Sequence, residues 1–533
     1  MKTAGLMIDC SRNAVRKPEA VKRMADIMSR LGFNALLLYT EDTYEIEGEP
    51  YFGYLRGRYT KAELRDMDDY CAGLGIELIP CIQTLAHLNG IVRWREYEDI
   101  TDVNDILLAG EEKTYKLIRK MFKTVSETFT SGKIHIGMDE AWMLGAGKYL
   151  RKNGYTPQLE IMKAHLARVS ELAAEYGLEP MMWSDMFFQA AVGEALSEDA
   201  DVIDDAVRAA MPENITPVYW DYYSTDKTHY DNVMKAHKRF GKPFWFAGGL
   251  WTWTGFTPHN LYSMRASSAA LKSCMENGVE NVFFTMWGDD GAETSMFSIL
   301  PSLCYVSQVI KGDDGDDAIK RAFKELTGIE LESFLNIDIP GITFEGENKN
   351  KTVNPDKYTL YNDCFLGIFD SIVNRGNTEI YRETSRRLSK LEDNGEYGYI
   401  FKTVRSLCDV LEVKNELGLN IRDAYRAGDK IRLGGLAEEC RRAAGLAEAF
   451  LENLRVQWYR ENKPFGFEVQ ETRIGGLACR LRSCAVRLEL YADGQTEKID
   501  ELEEDILDPE CDAGSGPREI WATPWNKYFV NII

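Results

Sequence analysis

The chain has 533 residues, with 63 Lys and Arg set against 85 Asp and Glu for a net charge of −22. That length exceeds one ordinary domain and suits a large barrel carrying a second unit. The acidic balance repels phosphates, so neither nucleic acid nor an anionic membrane surface is expected as a partner.

The first segment, MKTAGLMIDCSRNAV, enters a strand at once and shows no signal-peptide pattern. To about residue 300, short apolar runs then alternate with amphipathic stretches. The strands expected in order are GLMIDC, NALLLYT, IELIPCI, KIHIGMD, EPMMWSD, TPVYWDY, PFWFAGG and NVFFTMW. Helical patterns fall between them, among them PEAVKRMADIMSRLG, KAELRDMDDYCAGLG, KTYKLIRKMFKTVSETF and LEIMKAHLARVSELAAEYG; many end in Gly, as a helix C-cap does. Eight β units with helical crossovers imply a (β/α)8 TIM barrel of the α/β class, placed at residues 1–335. A doubly wound open sheet is the alternative, weakened because no glycine-rich phosphate fingerprint follows the first strand.

From about residue 340 the pattern changes. EIYRETSRRLSKLEDNG, YIFKTVRSLCDVLEVKNELG and GLAEECRRAAGLAEAFLENLRVQWYRENK are long and amphipathic, so residues 336–533 are expected to form a mainly α-helical C-terminal domain. The segment GITFEGENKNKTVNPDKYTLYND, rich in turn formers and charge, reads as the joining loop. The 11 cysteines are scattered, with no CxxC pair and no Cys/His cluster at zinc-ligand spacing, so no metal is expected. Cysteines within apolar runs, such as Cys10 and Cys81, behave as small hydrophobes and fit a reducing compartment. No run approaches the roughly 20 apolar residues of a membrane helix, and a cytoplasmic protein is expected.

In such a barrel, functional groups gather at the C-terminal strand ends. Those ends carry Asp9, Ser11 and Arg12; Glu41 and Asp42; Gln83 and His87; Asp139, Glu140 and Trp142. The remaining four carry Trp183, Ser184 and Asp185; Trp220, Asp221 and Tyr222; Trp251 and Trp253; Trp287, Asp289 and Asp290. Singly, an acid there is often a loop-fixing ion pair and a Trp a barrel plug. Together, acids that bond hydroxyls and indole faces that stack on ring faces make a sugar pocket. The adjacent acids Asp139 and Glu140 in KIHIGMDEAW sharpen the case. Side chains alternate across a strand, so both reach one pocket only if the strand stops there. Glycosidases use two carboxylates in different roles, and a Glu kept protonated by a nearby negative charge and partial burial serves as general acid.

HIGMDEAW resembles the H-x-G-x-D-E signature of glycoside hydrolase family 20, the β-N-acetylhexosaminidases, and the resemblance runs through the barrel in order. The resemblance implies that Glu140 protonates the leaving oxygen and later deprotonates water, while Asp139 holds the 2-acetamido N–H of the substrate. That acetamido oxygen would be the nucleophile, giving an oxazolinium intermediate and net retention with no cofactor. IDCSR, NALLLYTEDTY and IPCIQTLAH imply that Arg12 binds ring hydroxyls and that an Asp42–His87–Glu140 chain tunes the acid. MMWSDMF and MWGDD imply pocket roles for Trp183 and Trp287 and hydroxyl binding by Asp289; Trp220 and Trp251 belong to the same aromatic set. The family's strand-seven tyrosine is replaced by FWFAGGLWTWTG, and Tyr222 is taken as its substitute for the acetamido oxygen. No small α/β domain is expected before the barrel, and the helical C-terminal domain resembles a compact bacterial subgroup, which implies a homodimer. A retaining glycosidase with a protein nucleophile and a non-catalytic sugar-binding barrel stay open as alternatives.

Overall fold

The computed structural model describes residues 1–342 and 354–509. Residues 343–353 of the expected joining loop and residues 510–533 of the expected helical domain lie outside them. The chain divides into two compact units: Met1–Leu250 with Ser263–Gly288 and Ser302–Ile319, and Trp251–Tyr262 with Asp289–Pro301 and Lys320–Ile533.

The first unit holds a closed parallel barrel. Its strands are β1 (Thr3–Asp9), β2 (Ala35–Glu41), β3 (Glu77–Ile82), β4 (Lys133–His135), β5 (Glu179–Trp183), β6 (Thr216–Trp220), β7 (Trp245–Gly249) and β8 (Asn281–Met286). All eight pair in parallel, and β1 closes the ring by pairing both β2 and β8. Parallel strands are covered on both faces, which is why they read as continuous apolar runs. Leu36, Leu37 and Leu38 of β2, three consecutive side chains, are all fully buried, each contributing on the order of 2 kcal/mol of hydrophobic stabilisation.

Local signals set the crossovers. Helix α1 (Pro18–Leu31) starts on a Pro in its first turn and ends at Gly32, whose φ of +86° is the left-handed cap that glycine supplies. Helix α2 (Lys61–Gly73) opens on a capping box between Thr60 and Glu63. Helices α3 (Glu112–Thr128) and α4 (Gln158–Glu175) follow the periodicity read from the chain. A short antiparallel pair, Thr101–Val103 with Ile106–Leu107, lies within the long connection after β3.

The second unit is helical among its described residues. Helices α5 (Asn377–Ser389), α6 (Gly398–Lys414), α7 (Leu417–Arg426), α8 (Lys430–Glu461) and α9 (Phe467–Ala492) dominate it. α8 and α9 run antiparallel: Trp458 and Phe467 meet at 5.7 Å beside the turn, and Arg441 pairs with Glu489 at 2.6 and 2.7 Å toward the far end. The part of the expected loop that is described contains a short helix, Pro355–Tyr361, started by Pro355. No helix among the described residues is long and apolar enough to cross a membrane.

Candidate active site

Strand β4 is only three residues long, and the turn after it breaks the alternation that would send neighbouring side chains to opposite faces. Gly137, Met138 and Glu140 adopt left-handed backbone with φ of +71°, +70° and +51°. Such conformations are costly for Met and Glu and persist only where surrounding contacts impose them. Two contacts do so here. The Met138 N–H donates to Gln83 Oε1 at 3.0 Å, and the Glu140 N–H donates to Asp185 Oδ2 at 2.9 Å. This turn lets both acids approach His87, whose Nε2 lies 3.2 Å from Asp139 Oδ2 and 3.6 Å from Glu140 Oε2.

The two acids differ in surroundings. Asp139 is buried and takes a 2.6 Å hydrogen bond from Gln83 Nε2, which also donates to Tyr39 Oη. Burial pushes its carboxyl up, but the His87 charge and the hydrogen bonds outweigh that, and the value falls to about 2. Burial pushes His87 down, yet Asp139 beside it dominates and raises it to about 9, against the opposition of Arg12. Asp139 and His87 are therefore an anion–cation pair at neutral pH. The Glu140 side chain is 42% exposed. Since His87 faces both acids, its charge offsets part of the repulsion between them.

Asp185 carries the opposite perturbation. It is fully buried and beside the Asp139 charge, and burial first, then that charge, raises its carboxyl to about 8. It is thus neutral at pH 7, with the Trp220 side chain lowering its carboxyl and the Glu140 N–H donating to its Oδ2.

On the other side of His87, Arg12 brings Nη2 to 3.5 Å from Nδ1 and pairs through Nε with Glu41 Oε1 at 3.1 Å. Here the structure corrects the expected Asp42–His87–Glu140 chain. Asp42 pairs with Arg56 at 3.0 Å, its carboxylate packed so closely on Gly90 that a Cβ there would stand 2.2 Å from Oδ2. Glu41 takes the place beside Arg12, in reach of the Tyr39 hydroxyl at 3.2 Å. The cause is local: register shifts between Tyr39 and Glu41, and Glu41 turns left-handed with φ of +47°. Glu41 and Asp42 fall at this irregularity, where counting along the strand does not decide between them. Gln83 and Asp185 were likewise at strand ends without an assigned role.

Aromatic side chains surround these groups. Trp287 meets Tyr39 edge-on at 4.8 Å, lies 6.3 Å from Trp183, and receives Arg12 over its ring at 5.8 Å. Trp183 is buried against His135 at 4.3 Å, and its indole N–H has no hydrogen-bond partner. Tyr222 stacks on Trp220 at 5.4 Å, with its hydroxyl bonded to the Trp287 and Thr285 side chains. The structure thus gathers Arg12, His87, Asp139, Glu140, Trp183, Trp220, Tyr222 and Trp287, and substitutes Glu41 for Asp42. Trp251 and Asp289 belong to the second unit, where Trp251 stacks on Trp253 at 4.5 Å and Asp289 opens a short turn. Among the described residues, no group of three or more His, Cys, Asp or Glu is placed to hold a metal ion.

The sequence model for the glycosyl hydrolase family 20 catalytic domain matches residues 3–237, and that for the glycoside hydrolase 20C C-terminal domain matches residues 332–516. The chain belongs to glycoside hydrolase family 20. Family members are exo-acting β-N-acetylhexosaminidases that act on terminal N-acetylhexosamine by substrate-assisted catalysis. Among curated relatives, Hexosaminidase D of Homo sapiens is 23% identical over 361 residues, 63% of this chain and 72% of the human one. Hexosaminidase D of Bos taurus is 23% identical over 325 residues, 56% of this chain and 89% of the bovine one. A solved β-N-acetylhexosaminidase is 16% identical, with a TM-score of 0.45, over 66% of this chain and 80% of its own. This family 20 chain is therefore a glycoside hydrolase.

Proposed function

We propose that Glu140 and Asp139 divide the work of an exo-acting, retaining β-N-acetylhexosaminidase releasing terminal β-linked GlcNAc. The catalytic barrel is residues 1–335, the helical domain residues 336–533, and the molecule a cytoplasmic homodimer. The observation that carries this reading is the contrast within the pair: Asp139 is locked as a buried anion by His87 and Gln83, while Glu140 is open to solvent.

A fixed anion suits the substrate's acetamido group. As the acetamido oxygen attacks the anomeric carbon, positive charge develops on the nitrogen, and Asp139 accepts its N–H and stabilises that charge. Glu140 protonates the departing glycosidic oxygen and then takes a proton from the water that opens the oxazolinium ring. Arg12 and Glu41 bond ring hydroxyls, Trp183 and Trp287 wall the sugar, and Tyr222 donates to the acetamido oxygen. Asp42 supports the Arg56 loop.

Hydrolysis of p-nitrophenyl GlcNAc against p-nitrophenyl glucose tests the reading. GlcNAc cleavage alone, with tight inhibition by a thiazoline mimic of the cyclised intermediate, is expected. Equal cleavage of the glucoside replaces it with a protein-nucleophile mechanism, and cleavage of neither leaves a sugar-binding barrel. Sedimentation velocity tests the dimer.

A further inference from the structure

The helical unit holds a second chemically distinctive place. A cavity of about 340 Å³ opens among the segment after Tyr361, the end of α6 and the middle of α9, lined by Cys364, Lys414 and Cys484 with Leu366, Leu477 and Leu481. The Lys414 ammonium is buried. It donates to the Asn362 backbone oxygen at 2.8 Å and stands 3.9 Å from Cys364 Sγ. No carboxylate among the described residues pairs with it. Two acids of the neighbouring segment have other partners: Asp363 pairs with Arg480 at 2.6 Å, and Asp370, whose carboxyl Lys414 also lowers, meets Asn362 at 2.8 Å and Arg422 at 4.0 Å. A buried ammonium without an anion costs several kcal/mol, and a thiolate at Cys364 is the group placed to compensate it. Cys440 and Lys414 together hold Cys364 below the usual thiol range against the effect of burial.

We propose that Cys364 is a nucleophilic thiolate site that takes hydrogen peroxide, a small neutral oxidant, with Cys440 as its resolving partner. The cavity suits such an oxidant because Leu366, Leu477 and Leu481 line it and its one acidic side chain, Asp363, is already paired with Arg480. The Cys364 thiolate attacks one peroxide oxygen; an S–O bond forms, the O–O bond breaks, and the sulfur loses two electrons. The departing hydroxide takes a proton delivered through Lys414 and leaves as water. The Cys440 thiol then attacks the sulfenic sulfur, a disulfide forms and a second water leaves. In all, one peroxide and two thiols give one disulfide and two waters.

The full-length chain carries its own control, since Cys479 is exposed and Cys364 is not. At pH 7 Cys364 is expected to be alkylated by iodoacetamide roughly ten times faster than Cys479, as thiolate character outweighs access. Equimolar hydrogen peroxide, followed by blocking and peptide mass spectrometry without reductant, should yield a Cys364–Cys440 link. Cys440→Ser should instead leave a Cys364 sulfenic acid trapped by dimedone, and Lys414→Met should slow Cys364 to or below the Cys479 rate. GlcNAc hydrolysis and thermal melting of each variant report folding. Oxidation of Cys479 with Cys364 left reduced overturns the site. A link from Cys364 to Cys484 overturns the assignment of Cys440.

Discussion

His87 Nε2 stands 3.2 Å from Asp139 Oδ2, and this contact sets the charge of both side chains. His87 titrates near 9 instead of the ordinary 6.5, so it adds stability that is complete below about pH 6.5 and disappears as pH rises through about 9. Asp139, lowered from 3.8 to about 2, contributes above about pH 4 and loses its contribution as pH falls through about 2. Melting temperature should therefore decline between about pH 6.5 and 9 by the equivalent of roughly 3 kcal/mol. His87→Gln should remove the part of that decline above about pH 8, beyond the Asp185 titration; an unchanged slope there in the variant would remove His87 as its source.

Asp185 offers a second pH signature that begins at lower pH and overlaps that of His87. Its carboxyl is raised from 3.8 to about 8, so its neutral form favours the fold, and stability is lost as pH rises from about 4 through about 8. Asp185→Asn keeps an acceptor for the Glu140 N–H and removes the titration. That variant should be more stable than the parent at pH 8 and keep kcat within about threefold. Asp185→Ala leaves the Glu140 N–H unpaired and should cost roughly 1–3 kcal/mol together with a larger fall in kcat. Equal kcat in the two variants would show that the Glu140 backbone needs no such support.

Glu41 and Asp42 are neighbours with separable consequences. Glu41→Gln weakens the partner of Arg12 in the sugar site and should raise KM about tenfold, a loss of about 1.4 kcal/mol in binding, with little change in melting. Asp42→Asn breaks a buried pair with Arg56 and should destabilise by roughly 3 kcal/mol while leaving KM near the parent value. Steady-state kinetics and thermal melting on both variants check the assignment; the reverse pattern would return Asp42 to the sugar site.

The eight strands were legible because parallel barrel strands are buried on both faces and read as apolar runs, as ALLLYTE in β2 does. The acid pair was legible as chemistry, but not how its backbone turns. Met138 and Glu140 are left-handed without being glycine, a conformation forced by Gln83 and Asp185 from other strands and therefore silent in local sequence. The choice between Glu41 and Asp42 fell on a bulge, where simple counting along the strand fails.

Glu140→Gln separates acid from base. Loss of the proton donor should reduce kcat/KM at least a hundredfold for a poor leaving group, and far less for an activated phenol that departs without protonation. Ring opening by water still needs a base, so added azide, which needs none, should accelerate turnover and give a β-configured glycosyl azide detectable by NMR. Unchanged rates with azide and no such product would take the acid–base role away from Glu140.

Gly137 tests whether the bracket on Asp139 matters to the chemistry. At φ of +71° any side chain is strained, and a Cβ there would stand 2.0 Å from Gln83 Oε1. Gly137→Ala must therefore push the Gln83 amide away, releasing both the Met138 N–H and the 2.6 Å bond to Asp139. Asp139 then loses one of the groups that hold it as an oriented anion, and kcat should fall about tenfold or more, the loss of about 1.4 kcal/mol of transition-state stabilisation. Gln83→Ala in the parent background isolates the lost amide from the backbone strain. If kcat falls in Gly137→Ala but not in Gln83→Ala, the effect comes from displacement of the 137–140 turn, and the Gln83 bond to Asp139 carries no catalytic weight.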